Sequence, residues 1–146
     1  MNINLKARIQ ADLNAARKGR DKAGTVLLST LLSEIRNREI EARRELGEDE
    51  VVGVVTRAVK QRRDSADQMR AGGRPELADG EEAEADALKT YLPEQLDEGE
   101  VRALVRAAID AGADAIGPLM ARLVPSIKGR FDGKEANRIA REELGR

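Results

Sequence analysis

The chain has 146 residues, of which 26 are Lys or Arg and 27 are Asp or Glu, so its formal net charge is −1. This length suits one compact domain or two small lobes that bury a core. Cysteine and histidine are both absent, which excludes disulfides, cysteine zinc sites and Ser-His-Asp or Cys-His catalysis. Tyr91 and Phe131 are the only aromatic residues, too few for a surface that stacks single-stranded bases.

The composition favours helices. Charged residues make up 36% of the chain, and the abundant Ala, Glu, Arg and Leu lose little on entering a helix, so we predict an all-α protein. No stretch approaches the ~20 apolar residues that span a bilayer, and the polar, periodic opening segment is unlike a signal peptide. We therefore expect a cytoplasmic protein without membrane contact, and a monomer.

Three helices are predicted in the first 71 residues. Asn4 caps the first helix, which Gly19 ends. Asp21 opens the second, whose apolar stripe continues until Gly47 stops it. The third runs from about residue 48 to 71. Since Gly47 is the only strong helix breaker between two long helices, we predict a tight helical hairpin there.

Four shorter helices are predicted to follow. Pro75 suits the first turn of a fourth helix, which Pro93 ends because a proline keeps the preceding residue out of the helical conformation. Asp97 and Glu100 form a capping box for a fifth. A sixth runs from an Asp114 cap to Pro125, which ends it.

The last helix begins after Asp132, where the capping-box pattern recurs with Glu135. Three short helices can enclose a small core, so the chain divides into two lobes. We predict a helical N-terminal lobe over residues 1–92, containing the long helical hairpin, a linker over 93–96, and a three-helix C-terminal lobe over 97–146.

The near-zero net charge conceals an uneven distribution. Residues 75–100 carry one lysine against ten acids, whereas residues 1–46 and 101–146 carry net charges of +4 and +3. We expect the acidic segment to be a solvated helix face. A carboxylate metal site there is disfavoured, because helical di-metal sites combine Glu with His. No catalytic residue, cofactor or metal ligand is expected.

Three motifs follow one another along the chain: KQRRDS at 60–65, YLPEQL at 91–96, and KGRFDG at 128–133 followed by Asn137. In this order they resemble YqeY-like proteins of the GatB/YqeY family over essentially the whole chain. These are stand-alone relatives of the C-terminal tail of the B subunit of tRNA-dependent amidotransferase. The resemblance implies an all-helical protein with two lobes. It also implies contact with tRNA, since the comparable tail contacts tRNA while amide transfer occurs in domains that have no counterpart here.

The sharpest candidate site is a basic cluster near the C-terminus. It comprises Lys128, Arg130, Lys134, Arg138 and Arg141. The last three share one helix face, and the first two come from a glycine-flanked loop before that helix. An Asp132 cap would occupy the N–H groups of the helix end, so side chains would have to hold any anion. We predict contact with RNA phosphates, against the alternative of a solvated basic face, provided that Lys128 and Arg138 are not held in intramolecular contacts.

A secondary basic patch comprises Arg57, Lys60 and Arg63 on the third helix. Arg62, beside it, falls on the apolar seam of that helix, where its methylene groups can lie along the core. Glu39 falls on the seam of the second helix. A structural ion pair between Arg62 and Glu39 is therefore expected in preference to a ligand contact.

These observations predict a non-catalytic accessory protein that binds tRNA or other structured RNA through its backbone and shape, without recognition of DNA sequence. One alternative is a helical adaptor that docks a protein partner in translation and uses its acidic segment for electrostatic steering. Another is an accessory that acts in trans with a glutamine-dependent carbon–nitrogen ligase, as an amidotransferase does.

Overall fold

The computed structural model describes residues 4–146. Over these residues the chain forms helices and no strands, which confirms the predicted all-α class. The helices are α1 (Leu5–Lys18), α2 (Lys22–Ala42), α3 (Glu48–Ala71), α4 (Pro75–Lys89), α5 (Glu98–Asp110), α6 (Ile116–Ile127) and α7 (Gly133–Leu144). The chain divides into two compact units between Leu92 and Pro93, so that α1 to α4 belong to the N-terminal unit and α5 to α7 to the C-terminal unit.

The core of the N-terminal unit is made by one apolar face from each helix. Asn4 caps α1 as predicted, because its side chain accepts a hydrogen bond from the Ala7 N–H at 3.1 Å. Leu5, Ile9 and Leu13 then recur every fourth residue and are buried. The other helices add Leu28, Leu31, Leu32 and Ile35 from α2, Val51, Val54, Val55, Ala58 and Val59 from α3, and Ala85 and Leu88 from α4.

The end of α2 differs from the prediction that Gly47 stops it. The helix ends at Ala42, and Arg43 adopts a left-handed conformation with φ 56°. The Arg44 N–H donates to the Glu39 carbonyl at 3.2 Å, so two carbonyls of the last turn are satisfied without a glycine. Gly47 instead caps the N-terminus of α3.

The long helical hairpin is formed by α3 and α4, whereas the sequence pattern had placed it at Gly47 between α2 and α3. In the described chain these two helices pack together more extensively than any other pair. Gly73, with φ 78°, lies in the turn that joins them. Ala66 on α3 and Ala78 on α4 are fully buried, and their small side chains let the two helices approach closely.

The predicted partner of Arg62 was wrong. Its Nε donates to Glu84 Oε2 across the α3–α4 pair at 3.1 Å. Glu39 instead accepts two hydrogen bonds from Lys6 Nζ, at 2.8 and 3.0 Å. Arg62 therefore has the structural role that its seam position indicated, with a different helix.

The C-terminal unit begins with the predicted capping box. The Glu100 N–H donates to Asp97 Oδ1 at 2.7 Å, and the Asp97 N–H donates to Glu100 Oε2 at 3.0 Å. Behind this cap, Val101 and Val105 of α5 are fully buried. The same core contains Leu119, Leu123 and Ile127 of α6, and Ala136, Ile139 and Ala140 of α7.

Both predicted ends of α6 require correction. The N-cap is Ala115, not Asp114, and it makes no side-chain capping bond. Pro125 lies inside the helix, which continues to Ile127. A proline removes one backbone hydrogen bond, but the next turn is kept by the Lys128 N–H, which donates to the Val124 carbonyl at 3.0 Å, and by the burial of Ile127.

Candidate nucleic-acid interface

The predicted RNA-binding residues lie on α7 and in the loop before it. The Asp132 side chain accepts a hydrogen bond from the Glu135 N–H at 3.3 Å, so it caps α7 as predicted. The capping box is not closed, because the Glu135 carboxylate pairs with Arg138 instead. Ala136, Ile139 and Ala140 face the core, which turns Lys134, Arg138 and Arg141 outward on the opposite side of the helix.

Arg138 is held by three carboxylates. Its Nη1 donates to Glu142 at 2.6 Å, and its Nη2 donates to Glu135 at 2.9 Å and to Glu98 of α5 at 3.3 Å. These hydrogen bonds raise the pKa of the Arg138 guanidinium above its ordinary value, and the bond to Glu135 contributes most to that increase. We expected Arg138 to contact RNA only if it were not held in intramolecular contacts. It is held in three of them, so this condition is not met.

The network extends to the buried end of α7. Arg102 of α5 donates to Glu142 at 2.6 Å, to Glu98 at 2.8 Å and to Glu143 at 2.9 Å. Glu143 is 8% exposed and also accepts from Arg106 Nε at 3.0 Å. Such pairing is what allows a carboxylate to be buried, and the network joins α5 to α7.

Sequence reasoning missed this network, although one signal for it was present. On α7, Glu143 falls four residues after Ile139 and therefore on the apolar face of the helix. An acid at such a position requires a cation from a neighbouring helix. Arg102 and Arg106, one turn apart on α5, are the residues that supply it.

Arg130 ties the loop after α6 to the start of the C-terminal unit. Its Nε donates to the Glu94 carbonyl at 2.9 Å, and its Nη1 donates to the Ser126 carbonyl at 3.1 Å. The Arg130 carbonyl accepts from the Leu96 N–H at 2.8 Å, and Gln95 Nε2 donates to the Gly129 carbonyl at 2.8 Å. The predicted linker residues 94–96 are therefore bonded to the C-terminal unit.

The other candidates in the cluster are exposed. Lys128 is the C-cap of α6, and Lys134 lies in the first turn of α7. Arg141 Nε donates to Asn137 Oδ1 at 2.8 Å. Lys134 and Arg141 are seven residues apart on one helix ridge, which corresponds to about 10 Å along the axis. These two are the cations that α7 presents together.

The secondary patch is also exposed, but acids flank it. Arg57, Lys60 and Arg63 are all exposed on α3. Arg63 shares a groove with Glu82 and Asp86 of α4. The pKa of Glu82 is lowered, mainly by its hydrogen bond from Arg70, and Arg63 contributes to this. Part of the charge of this patch is thus already balanced within the molecule.

Residues 4–146 contain neither a cluster suited to a metal ion nor a helix suited to a bilayer. No group of three or more acidic side chains there is arranged to hold a metal ion. None of the helices over the same residues combines the length and the apolar character that a bilayer crossing requires.

Comparison with protein families decides the classification. The family described as Yqey-like protein matches residues 6–144, nearly the whole chain. The chain belongs to the YqeY-like family. The resemblance seen in the three sequence motifs is thereby confirmed.

One curated relative of this YqeY-like chain is "Altered inheritance of mitochondria protein 41, mitochondrial" of Lachancea thermotolerans, which is 30% identical over 106 residues. The match covers 72% of this chain and 54% of the relative, so the YqeY-like chain spans about half of that protein. The family and this relative indicate a helical accessory protein. The relative's name places it in mitochondria, so the cytoplasmic location of this chain stays a prediction.

Proposed function

We propose that this YqeY-like chain is a non-catalytic accessory protein that binds structured RNA, such as tRNA, through phosphate contacts. The observation that carries the proposal is the exposed pair on α7, Lys134 and Arg141. Two cations on one ridge fit a ligand that repeats its negative charges along a backbone. The resemblance to the amidotransferase tail, which contacts tRNA, supports the same ligand class.

Arg138 and Arg130 take a positioning role in this proposal. Arg138 is bound to Glu98 of α5 as well as to acids of its own helix, so it fixes α7 while Lys134 and Arg141 face outward. Arg130 fixes the loop that contains Lys128. The proposed phosphate contacts are thus made by Lys134 and Arg141, while Arg130 and Arg138 hold the surface in place.

The chemistry available to the chain supports an accessory role. It contains no histidine or cysteine, so its serines have no imidazole base to activate them. If the protein acts together with a glutamine-dependent carbon–nitrogen ligase, we propose that it supplies an RNA contact in trans and that other subunits supply the reacting groups.

A helical adaptor is the second candidate function, and one feature of α2 favours it. Val26 is 67% exposed and Ile40 is 73% exposed. On the helix they lie on one strip with Ser33, between them and also exposed. Val26 and Ile40 are about 21 Å apart along the helix axis, and exposed Arg36 lies between them. They would suit a protein partner that contacts α2 at two separate points.

The test is the binding of bulk tRNA, measured by filter retention between 50 and 300 mM salt. A phosphate-binding surface requires that affinity fall as salt rises. In the double variant Lys134→Gln/Arg141→Gln we expect weaker binding and a log–log salt slope that is shallower by roughly 1.4 to 1.8, since each phosphate contact contributes about 0.7 to 0.9.

The matched control is Arg74→Gln/Arg122→Gln, which removes two exposed cations elsewhere in the chain. It should leave the salt slope close to that of the wild type. No binding by the wild-type protein, or binding that is insensitive to salt, contradicts the proposal and favours the adaptor.

A further inference from the structure

The turn between α1 and α2 concentrates positive charge. Residues 17–22 read RKGRDK, four cations with a single acid, and all six residues are exposed. Residues 1–46 have a net charge of +4, and this turn accounts for +3 of it. The first turn of α2 contains no acidic residue, so the positive end of the helix dipole adds to the same field.

The four cations of the turn have no acidic partner among residues 4–146. The side chains of Arg17, Lys18, Arg20 and Lys22 take part in none of the hydrogen bonds or ion pairs within that part of the chain. Asp21 is the one acid present, and its Oδ1 accepts from the Gly24 N–H at 2.9 Å as the N-cap of α2. The acid that could neutralise the turn is thus engaged with the backbone.

The backbone of the turn holds Arg20 in a conformation that favours glycine. Arg20 has φ 54°, in the left-handed region where most side chains are strained. The Asp21 N–H donates to the Ala16 carbonyl at 2.9 Å and the Arg20 N–H donates to the Arg17 carbonyl at 3.2 Å. These two bonds form a Schellman motif, whose left-handed position is usually glycine. The neighbouring Gly19 has φ −79°, a conformation that residues other than glycine also adopt.

The opposite end of the α1–α2 pair differs in charge balance. A groove of about 600 Å³ lies there. Its Lys6 is bound to Glu39 at 2.8 Å, and Arg44 nearby is bound to Glu50 at 2.7 Å. Two of the cations at that end are therefore paired with acids. At the turn, by contrast, four exposed cations follow one another with a single acid among them.

We infer that the turn over residues 17–22 is a second RNA-binding surface, which contacts the phosphate backbone from the N-terminal unit. This inference rests on the proposed function and adds to it a contact outside the C-terminal cluster. Two arginines in the turn suit phosphate oxygens, which their planar guanidinium groups bind through paired hydrogen bonds. Four cations spread over an exposed turn fit an extended polyanion better than a single small anion.

The decisive variant is Arg20→Gly, measured for bulk tRNA binding and for thermal unfolding. Because the position favours glycine, we expect an unchanged or higher Tm together with weaker tRNA binding and a salt slope shallower by about 0.7 to 0.9. When Arg17→Gln, Lys18→Gln and Lys22→Gln are added to it, the salt slope should become shallower by roughly 2.8 to 3.6 in total.

Arg43→Gly is the matched control. Arg43 has the same left-handed conformation, with φ 56°, at the end of α2. This variant should change Tm in the same direction as Arg20→Gly and leave tRNA binding unchanged. It separates the effect on Tm of replacing a strained left-handed residue by glycine from the effect on tRNA binding of losing the Arg20 cation.

The outcomes distinguish this inference from the proposed function. A wild-type protein that does not bind tRNA overturns both. Wild-type binding that survives all four substitutions in the turn, while Lys134→Gln/Arg141→Gln weakens it, overturns this inference alone. Should the four substitutions abolish binding to vesicles that contain phosphatidylserine and spare tRNA binding, the surface is a membrane contact and the inference is wrong.

Discussion

Tyr91 is the residue that fastens the end of α4 to α1. Its hydroxyl donates to Asp12 Oδ2 at 2.5 Å, and the guanidinium carbon of Arg8 lies 4.8 Å from the centre of its ring. Arg8 Nη2 also donates to the Thr90 carbonyl at 3.2 Å. Burial, together with the hydrogen bond to Asp12, raises the pKa of Tyr91 above its ordinary value, so the hydroxyl stays a donor throughout the physiological range.

Replacing this hydroxyl tests the contact. In Tyr91→Phe the ring remains, but the charged acceptor on Asp12 loses its donor, so we expect the free energy of unfolding to fall by about 1.5 to 3 kcal/mol. Urea unfolding followed by circular dichroism measures it. Asp12→Asn keeps an acceptor for the hydroxyl and should cost less; a larger loss in that variant would contradict this account.

At the scale of elements, α5 and α7 depend on charge as well as on apolar packing. The hydrogen bonds from Arg102 and then Arg138 lower the pKa values of Glu98 and Glu142. That from Arg106 lowers the pKa of Glu143, and this effect exceeds the opposing effect of burial. These carboxylates bind protons more weakly in the folded protein than in the unfolded chain, where the pKa of Glu is about 4.3.

The sign of the pH dependence follows from these shifts. Ionised carboxylates stabilise the fold above about pH 4.3, and that stability is lost as pH falls through the lower folded pKa values. We expect the Tm of the wild type to fall between pH 5 and pH 2. In Glu142→Gln the fall should be smaller and the Tm at pH 7 lower, as calorimetry would show. Glu76→Gln, an exposed change on α4, should leave the profile unaltered; an equal effect there would count against the network.

The positions of most helix starts were predictable because capping is local. Asn4, Asp21 and Asp97 each accept a backbone N–H three residues ahead, a distance that the sequence displays directly. Helix ends were less predictable. Arg43 closes α2 where no glycine marks the end, and Pro125 is retained inside α6. In both places, packing and backbone hydrogen bonds outweigh the local preference of the residue.

On the scale of the whole molecule, the chain divides into two compact units between Leu92 and Pro93, and each unit has its own buried core. We propose that the units keep their stability separately. Leu119 is fully buried in the C-terminal core, so Leu119→Ala should cost about 2 to 5 kcal/mol there.

Hydrogen exchange measures where that loss falls. Amides of α5 to α7 should exchange faster in Leu119→Ala, whereas those of α2 and α3 should keep their wild-type rates. The reciprocal control is Ile35→Ala, at a fully buried position of the N-terminal core. Faster exchange in both units from either single variant would contradict separate stability.

The candidate site shows why only part of it could be predicted from the sequence. The shared outward face of Lys134 and Arg141 follows from helical periodicity and holds in the structure. Two partners of Arg138, Glu135 and Glu142, follow from the same periodicity because they lie three and four residues away. Its third partner does not, since Glu98 lies 40 residues away. The turn at 17–22 was visible as a run of charges. Its lack of acidic partners became apparent only when the positions of the other acids were known.

By itself, the sequence determined the helical class, most helix starts and the family. It also determined that no histidine or cysteine is available for catalysis or metal binding. These depend on composition or on residues a few positions apart, whose interactions survive any arrangement of the helices. The tertiary structure decided that α3 pairs with α4, that Arg62 binds Glu84, and that arginines and carboxylates of α5 and α7 bind one another. Those choices depend on groups far apart in the chain, which meet only after the helices have packed.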